Sequence, residues 1–266
     1  MNVMSKIRIN DIELAYRDEG EGRPLVFLHA FPLNQAMWDE QIDAFSTDYR
    51  VITFDWRGFG ASTQGERRIT MDVFADDLAG LFEALNIGSA TVCGLSMGGY
   101  ATLAFYRRFS SRVKSLILCD TRATADTDEA RATRLHTAEL VRASGTSAIA
   151  EQMATKLLGK TTIETRPATV ARVREMIESN RAEAIAQAQE GMAARPNSSE
   201  VLSRIVCPTL VMVGREDQLT PQEEVKRMAD GINTARFEVI TQAGHLPNLE
   251  RPAEFNQLLD DFLAST

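Results

Sequence analysis

One serine stands in a sequence context that is typical of an enzyme nucleophile. Ser96 lies within Gly94-Leu95-Ser96-Met97-Gly98-Gly99, which follows a short β-branched run and precedes a helical pattern. Such a strand–turn–helix elbow holds a serine in a strained conformation above a sheet, where a Cβ at Gly94 or Gly98 would clash. An incidental serine in a Gly-rich turn is the alternative, but chance gives a G-x-S-x-G only about 0.1 times in a chain of this length. We therefore predict Ser96 as the nucleophile.

A serine hydroxyl is a weak nucleophile until a neighbouring base takes its proton, and the chain has three histidines. His245 follows the last apolar run in a loop flanked by Gly and Pro, so it is free to point into a site at the sheet edge. His29 ends an apolar run, and we interpret it as a structural ligand of the neighbouring loop. His136 lies in a helical segment, where a surface or capping position is expected. The sequence therefore favours His245 as the base.

A carboxylate is needed to orient this base and to stabilise its protonated form. Asp217 lies in the loop after the apolar run 209–213, and the chain order Ser96, Asp217, His245 is the one associated with such an elbow. Two other carboxylates stay open. Glu216 is adjacent to Asp217, and Asp120 stands at the end of the preceding strand.

The oxyanion of a tetrahedral intermediate needs two backbone N–H donors. Met97, directly after the nucleophile, is expected to supply one of them. The second is expected from His29-Ala30-Phe31-Pro32, the loop after the apolar run 25–28, with Phe31 N–H as the best candidate.

The elements that must position these residues alternate along the chain between apolar runs and helical patterns, which is typical of a mainly parallel α/β sheet. Residues 7–9 and 12–16 read as an N-terminal hairpin. Six buried strands follow, at 25–28, 51–54, 91–93, 113–118, 209–213 and 237–240. Helices are predicted at about 36–46, 70–86, 97–109, 221–230 and 252–264.

Residues 121–199 break this alternation and contain no Phe, Tyr or Trp. Apolar residues recur there at helical spacing, and Gly and Pro punctuate the stretch, which predicts three to five short amphipathic helices. The two stripes are Ile149, Met153 and Leu157, and Val170, Val173 and Ile177. We expect residues 1–120 and 200–266 to form the core. Residues 121–199 would then form a helical cap, inserted after the sixth strand and resting over the C-terminal edge of the sheet.

Such a cap would close a small pocket over Ser96, with an aliphatic and adaptable lining in which methionine fills irregular gaps. A cap of short helices leaves room for a ligand on the order of 300–1,000 Å³, which favours short acyl esters and small lactones. The lining is expected from the cap residues Ile149, Met153 and Leu157 and from the core aromatics Phe31 and Trp56.

Composition and charge exclude several other classes of protein. The net charge of −8, with no basic patch to offset it, argues against nucleic acid as a partner. Cys93, Cys119 and Cys207 form no C-x-x-C pair, and no cluster has metal-ligand spacing, so neither a disulfide, a metal nor a cofactor is expected. No apolar run approaches the ~18 residues that span a bilayer, and the N-terminus lacks an apolar secretion segment. A cytoplasmic protein without membrane partners is predicted, and homo-oligomerisation is left open.

From about residue 7 to residue 264 the chain resembles the α/β-hydrolase superfamily, in particular its small bacterial carboxylesterases and 3-oxoadipate enol-lactonases. The resemblance implies an α/β-hydrolase fold with an eight-stranded, mostly parallel sheet and helices on both faces. Ala30 departs from the glycine that is usual in the oxyanion loop, and its methyl group would either narrow the oxyanion hole or fix the loop. The motifs that carry the resemblance are 29–32, 55–62, 94–99, 207–214, and 244–247 with 250–252. The second resembles a structural turn of the family, so no catalytic role is implied for Arg57.

The resemblance also limits the chemistry. The related haloalkane dehalogenases and epoxide hydrolases carry Asp in place of Ser96, which excludes both reactions here. Hydrolysis of a small carboxylic ester or lactone through an acyl-Ser96 intermediate is the leading hypothesis. C–C bond hydrolysis and perhydrolysis on the same triad stay open, as does a ligand-binding receptor built on the same scaffold.

The distribution of charge along the chain does not identify the substrate. Residues 121–199 carry 11 Lys/Arg and 10 Asp/Glu, a net charge of +1, while the rest of the chain carries −9. A comparatively cationic cap would attract anionic substrates. Alternating Arg and Glu on solvated helices account for the same composition.

Overall fold

A twisted sheet of eight strands runs through the computed structural model, which describes residues 4–266. The strand order is β1-β2-β4-β3-β5-β6-β7-β8, and every pair from β4 to β8 is parallel, whereas β1 and β2 run antiparallel to their neighbours. The predicted eight-stranded, mostly parallel sheet is thus confirmed. The strands are β1 Ser5–Ile9, β2 Ile12–Glu19, β3 Arg23–Leu28, β4 Tyr49–Phe54, β5 Ala90–Leu95, β6 Val113–Cys119, β7 Thr209–Gly214 and β8 Ala235–Ile240.

Burial along the strands shows how the sheet is covered. In β3, β5 and β7 the last four residues are all buried, although successive side chains point to opposite faces. Both faces are therefore covered, as the near-continuous apolar runs predict. The helices of the core are α1 Asp39–Phe45, α2 Met71–Ala84, α3 Met97–Phe109, α9 Gln222–Asp230, α10 Pro247–Glu250 and α11 Pro252–Ala264.

Five helices lie between β6 and β7: α4 Asp128–Met153, α5 Lys160–Thr165, α6 Pro167–Glu178, α7 Ala182–Ala193 and α8 Ser199–Leu202. Helix α4 is interrupted at Gly145, whose φ of +78° and ψ of −179° belong to a region that only glycine adopts readily. The first predicted stripe is wrong at its end, because Leu157 lies beyond the last residue of α4. The second is confirmed in part, since Val173 and Ile177 are both fully buried on α6.

The segment from Asp55 to Ser62 forms a tight turn held by side chains. Arg57 is fully buried and donates to Asp77 at 2.6 and 2.7 Å, and to Asp11 at 2.9 Å. These ion pairs hold the turn to α2 and to the β1–β2 connection, which is the structural role expected for Arg57. No helix within residues 4–266 combines the length and apolar character that crossing a membrane requires.

Candidate active site

Ser96 occupies the one-residue connection between β5 and α3. Its φ of 55° and ψ of −112° are strained for a residue with a side chain. Two hydrogen bonds hold this conformation: Ser96 N–H donates to the carbonyl of Cys119 at 2.9 Å, and its own carbonyl accepts from the Thr121 hydroxyl at 2.9 Å. Ser96 keeps 9% of its surface exposed.

The glycines around Ser96 allow this turn to form. A Cβ on Gly98 would collide with the carbonyl oxygen of Leu28 on the neighbouring strand. A Cβ on Gly94 would lie 2.5 Å from the carbonyl oxygen of Gly98, closer than real Cβ contacts come. The crowding predicted from the sequence is confirmed, and it explains the glycines without appeal to the ligand.

A chain of hydrogen bonds joins the serine to a histidine and an aspartate. His245 Nε2 lies 2.8 Å from Ser96 Oγ, and His245 Nδ1 lies 2.8 Å from Asp217 Oδ2. Asp217 also accepts from the backbone N–H groups of Leu219 and Thr220, at 2.8 and 3.2 Å. Burial tends to raise the pKa of Asp217, but His245 and the Thr220 hydroxyl outweigh it, and the pKa lies below its usual range. We call Ser96, His245 and Asp217 the relay.

The other two histidines lie elsewhere. His29 is fully buried, with Nδ1 3.0 Å from the Ala30 carbonyl and Nε2 accepting from Trp56 N–H at 3.1 Å. Both ring nitrogens are thus engaged with backbone, which corresponds to the neutral ring. Burial lowers the pKa of His29 to about 4. His136 is exposed on α4. Of the three histidines, His245 is the one whose ring is hydrogen bonded to Ser96.

The two alternative carboxylates occupy different positions. Glu216 accepts from the Thr161 N–H and hydroxyl at 2.8 and 2.5 Å, so it faces the β6–β7 insertion rather than the histidine. Asp120 lies close behind the relay. One polar atom each of Asp120, Asp217 and His245 come within 4.8 Å of one another, and no other such group of potential metal ligands occurs in residues 4–266. Nδ1 of His245 is already hydrogen bonded to Asp217, and the absence of a metal stays a prediction.

Two backbone N–H groups border the serine without acceptors of their own. Met97 is the first residue of α3, where the N–H points out of the helix, and Phe31 lies in the loop after β3. Within the described part of the chain, neither N–H donates a hydrogen bond. The neighbouring Ala30 N–H, by contrast, is directed to Met37 Sδ at 3.2 Å. The oxyanion-hole assignment to Phe31 and Met97 stays a prediction that this pattern supports.

A buried glutamate that the sequence analysis did not single out holds the histidine loop. Glu250 accepts from the N–H groups of Gly244 and Leu246, on either side of His245, at 2.8 and 3.1 Å. Its other oxygen accepts from Gly159 N–H in the β6–β7 insertion at 2.7 Å. Burial raises the pKa of Glu250 against the opposing effect of these bonds. The sequence signal for Glu250 was an acidic residue five positions after His245, in a segment that is otherwise buried.

Ser96 and His245 open into a cavity of about 440 Å³ between the sheet edge and the insertion. From residues 1–120 and 200–266 it is bordered by Phe31, Ser96, Tyr100, Leu219, Thr220 and His245. From residues 121–199 it is bordered by Arg122, Thr127, Glu129, Ala130, Thr133, Arg134, Thr137, Gln152, Met153, Lys156, Leu157, Gln189 and Met192. Phe31, Met153 and Leu157 thus lie where the sequence analysis expected them. The insertion contributes Met153, Leu157, Met192 and Ala130 beside polar and charged side chains, so its lining is mixed rather than purely aliphatic.

Two residues predicted for the pocket lie outside this lining. Trp56 is fully buried beneath it, stacked on Phe74 with ring centroids 4.3 Å apart, and its indole N–H donates to the His29 carbonyl at 3.3 Å. Ile149 is fully buried in the packing of α4. Trp56 is taken up by aromatic packing in the core and Ile149 by the packing of α4, so neither side chain is left to line the cavity.

The charges beside the cavity are largely matched. Asp126, buried next to the cavity, forms ion pairs with Arg134, Arg195 and Arg122 at 2.6, 2.8 and 3.2 Å. Burial tends to raise the pKa of Asp126, but Arg195 and Arg134 outweigh it and lower the pKa to about 2. Lys156 has no ion-pair partner among residues 4–266. Attraction of anionic substrates by the insertion therefore stays a prediction.

The comparisons with known proteins agree with this geometry. Residues 23–252 match the family model described as alpha/beta hydrolase fold. The chain belongs to the α/β-hydrolase family. It is 32% identical to 3-oxoadipate enol-lactonase 2 of Acinetobacter baylyi over 255 residues. The matched region covers 94% of this chain and 92% of the relative.

Solved structures of other α/β-hydrolases superpose closely. A thermophilic esterase from Thermogutta terrifontis, with malate bound, is 42% identical with a TM-score of 0.95, covering 99% of this chain and 98% of that one. The enol-lactonase from Burkholderia xenovorans LB400 is 28% identical with a TM-score of 0.91, covering 98% of this chain and 100% of that one. The family assignment thus extends over the strands and the insertion alike.

Proposed function

We propose that this α/β-hydrolase cleaves small carboxylic esters or lactones through an acyl-Ser96 intermediate. The observation that carries the proposal is the relay, in which His245 is hydrogen bonded to Ser96 and to Asp217 at 2.8 Å each. A base placed at this distance can take the serine proton as the oxygen attacks, and the carboxylate stabilises the imidazolium that forms. The esterase and enol-lactonase relatives support the same class of substrate.

Acylation follows from these distances. His245 Nε2 accepts the proton as Ser96 Oγ bonds to the substrate carbonyl carbon, and the carbonyl oxygen becomes an oxyanion. The N–H groups of Phe31 and Met97 stabilise that charge, since they have no competing acceptor among the described residues. When the intermediate collapses, the carbon–oxygen bond to the alcohol breaks and His245 donates its proton to the leaving oxygen.

Deacylation uses the same groups with water. His245 accepts a proton from water while the water oxygen attacks the acyl carbon, and the proton then returns to Ser96 Oγ as the acid leaves. For an ester the alcohol departs before this step, whereas for a lactone it remains tethered and the product is a hydroxy acid. The cavity of about 440 Å³ is large enough for either substrate.

The test combines turnover with labelling. Purified protein is assayed with a panel of short esters and lactones, and a fluorophosphonate probe is used to locate the nucleophile by mass spectrometry. We expect turnover, one label on the peptide containing Ser96, and a loss of about 10³-fold or more in kcat for Ser96→Ala. Ser203→Ala, which removes an exposed hydroxyl after α8, is the matched control and should retain full activity.

Two results would contradict the proposal. Near-normal turnover by a folded Ser96→Ala protein would exclude the acyl-serine mechanism. Labelling of Ser96 without turnover of any ester or lactone would favour another substrate class or a ligand-binding protein. Dialysis against a strong chelator belongs to the same panel, because a loss restored by a divalent ion would show a metal requirement.

A further inference from the structure

Asp120 is a buried carboxyl group for which the mechanism above has no use. It directly follows β6 and is fully buried. Its Oδ1 accepts from Gly214 N–H at 2.8 Å, whereas its Oδ2 is buried with no donor among residues 4–266. A buried carboxylate with a bare oxygen is costly, because the charge has lost its hydration without replacement. A proton on Oδ2 would remove that cost.

Asp217, close to Asp120, has the opposite environment. Its two oxygens accept from His245 Nδ1, from the N–H groups of Leu219 and Thr220, and from the Thr220 hydroxyl. These donors favour the ionised form. Two neighbouring carboxyl groups do not both ionise readily. The group that accepts fewer hydrogen bonds keeps the proton. Burial and the charge of Asp217 raise the pKa of Asp120 well above its usual range.

We propose that Asp120 is protonated at neutral pH and directs this proton to Asp217, acting as a positioning residue for the relay. The inference rests on the proposed function. When His245 takes the serine proton, the single negative charge of Asp217 balances the imidazolium. A neutral Asp120 holds the orientation of that carboxylate without adding a second negative charge near the forming oxyanion. An ionised Asp120 would make His245 more basic and keep it protonated to higher pH.

The groups that face Asp120 are consistent with this charge assignment. Asp217 approaches from the loop after β7, His245 from the loop after β8, and Cys119 from β6 itself. Cys119 is fully buried, and burial together with Cys93 raises the pKa of its thiol well above the usual value, so it carries no charge at neutral pH. No Lys or Arg in the described chain forms an ion pair with Asp120. The cluster therefore offers no cation that would hold Asp120 ionised.

The experiment compares pH profiles of kcat/KM for the wild type and Asp120→Asn. Asparagine has the same shape, is neutral and can donate a hydrogen bond, so it replaces a protonated Asp120 closely. We expect kcat/KM within about threefold of wild type and an acid limb at the same pH. Asp260→Asn, which removes an exposed carboxylate on α11, is the matched control. An acid limb that moves about one pH unit or more to lower pH would show that Asp120 is ionised in the wild type and would overturn the proposal.

Asp120→Ala separates positioning from simple filling of space. Without the donor, we expect a fall in kcat/KM of about tenfold, expressed mainly in kcat, with the acid limb displaced to higher pH. Asp120→Asn, in contrast to Asp120→Ala, should keep both the rate and the pH profile of the wild type. A profile that is unchanged in shape for Asp120→Ala would overturn the positioning role.

A measurement on the folded wild type does not depend on the variants. Protein labelled with ¹³C at aspartyl carboxyl carbons should show a protonated aspartyl resonance at neutral pH that is missing from Asp120→Asn and present in Asp260→Asn. A wild-type spectrum without any protonated aspartyl resonance overturns the proposal, whether or not Asp120→Asn folds. Because this readout detects a proton rather than turnover, an absence of ester hydrolysis would contradict the proposed function and leave the result for Asp120 standing.

Discussion

The candidate active site has two halves that are built differently. The sheet-edge half, formed by Ser96, His245 and Asp217, lies on connections that follow β5, β7 and β8, where backbone hydrogen bonds hold each residue. The cap half, formed by the cavity residues between 127 and 192, consists of side chains on helices that are linked by ion pairs around Asp126. The three groups of the proposed mechanism thus follow the carboxyl ends of strands in the sheet. The residues that only border the cavity lie mostly in the insertion.

The two halves are joined at a few defined bonds. His245 N–H donates to the carbonyl of Leu157 at 3.0 Å, and Glu250 links the histidine loop to Gly159. On the other side of the histidine, Glu216 accepts from Thr161. The segment from Leu157 to Thr161, which joins α4 to the first turn of α5, therefore supports the loops that carry His245 and Asp217. This part of the insertion belongs functionally to the sheet-edge half.

The largest expected effect comes from removing the base. His245→Ala should lower kcat about 10³-fold or more, and combining it with Ser96→Ala should add little, because the two act as a unit. His29→Gln is the matched control, since it removes a histidine that is equally buried but bonded to backbone. It should keep most of the activity if the protein folds. Steady-state kinetics of the three variants decide the point, and an inactive His136→Ala would instead show that the base has been misassigned.

The charge state of His29 should affect the free energy of unfolding rather than the rate of catalysis. Its pKa is about 4 in the fold against an ordinary 6.5, so the neutral ring contributes stability that is complete above pH 6.5. That contribution is lost as the pH falls towards 4, by up to about 3 kcal/mol. Denaturant unfolding at several pH values should show this slope in the wild type and a weaker one in His29→Gln. Equal slopes in both proteins would contradict a neutral, buried His29.

The sheet-edge half was predicted from the sequence far better than the cap half, and the reason is geometric. The glycines of the elbow and the position of His245 after the last strand are imposed by backbone geometry, which leaves a local signature. Asp120 and Glu250 stood out in the sequence only as acidic residues in these segments, because their burial and hydrogen-bond partners arise only when distant parts of the chain meet. Ile149 of the insertion and Trp56 of the core were assigned to the pocket from their apolar character. They serve the packing instead, whereas Met153 and Leu157 border the cavity together with polar residues of the insertion.

A change at Glu250, which links the histidine loop to the insertion, should have an intermediate effect. In Glu250→Gln one oxygen becomes an amide N–H group, so at least one of the N–H donors of Gly244, Leu246 or Gly159 loses its acceptor. We expect a loss of about 1–3 kcal/mol in the free energy of unfolding and a fall in kcat of about tenfold, because the histidine loop is no longer held at both ends. Thermal unfolding and kinetics measure the two effects. Glu223→Gln, an exposed change on α9, is the control, and equal behaviour of the two variants would show that Glu250 does not position the base.

The smallest expected effect concerns the cap half and the length of the acyl chain. A cavity of about 440 Å³ covers a short acyl chain completely, whereas methylene groups of a longer chain stay partly in contact with water. Those groups therefore gain less than the ~0.8 kcal/mol that full burial of a methylene contributes. A series of p-nitrophenyl esters should show a maximum in kcat/KM at about two to four acyl carbons, in the volume range of small ligands.

Met153→Ala enlarges the cavity and should raise the ratio of octanoyl to butyryl hydrolysis several-fold. Met176→Ala removes the same side chain from a buried position on α6 outside the cavity and should leave that ratio unchanged. A wild-type kcat/KM that keeps rising through eight carbons would mean that the cap half opens to admit long chains, and that the volume of the cavity does not set the size of the substrate.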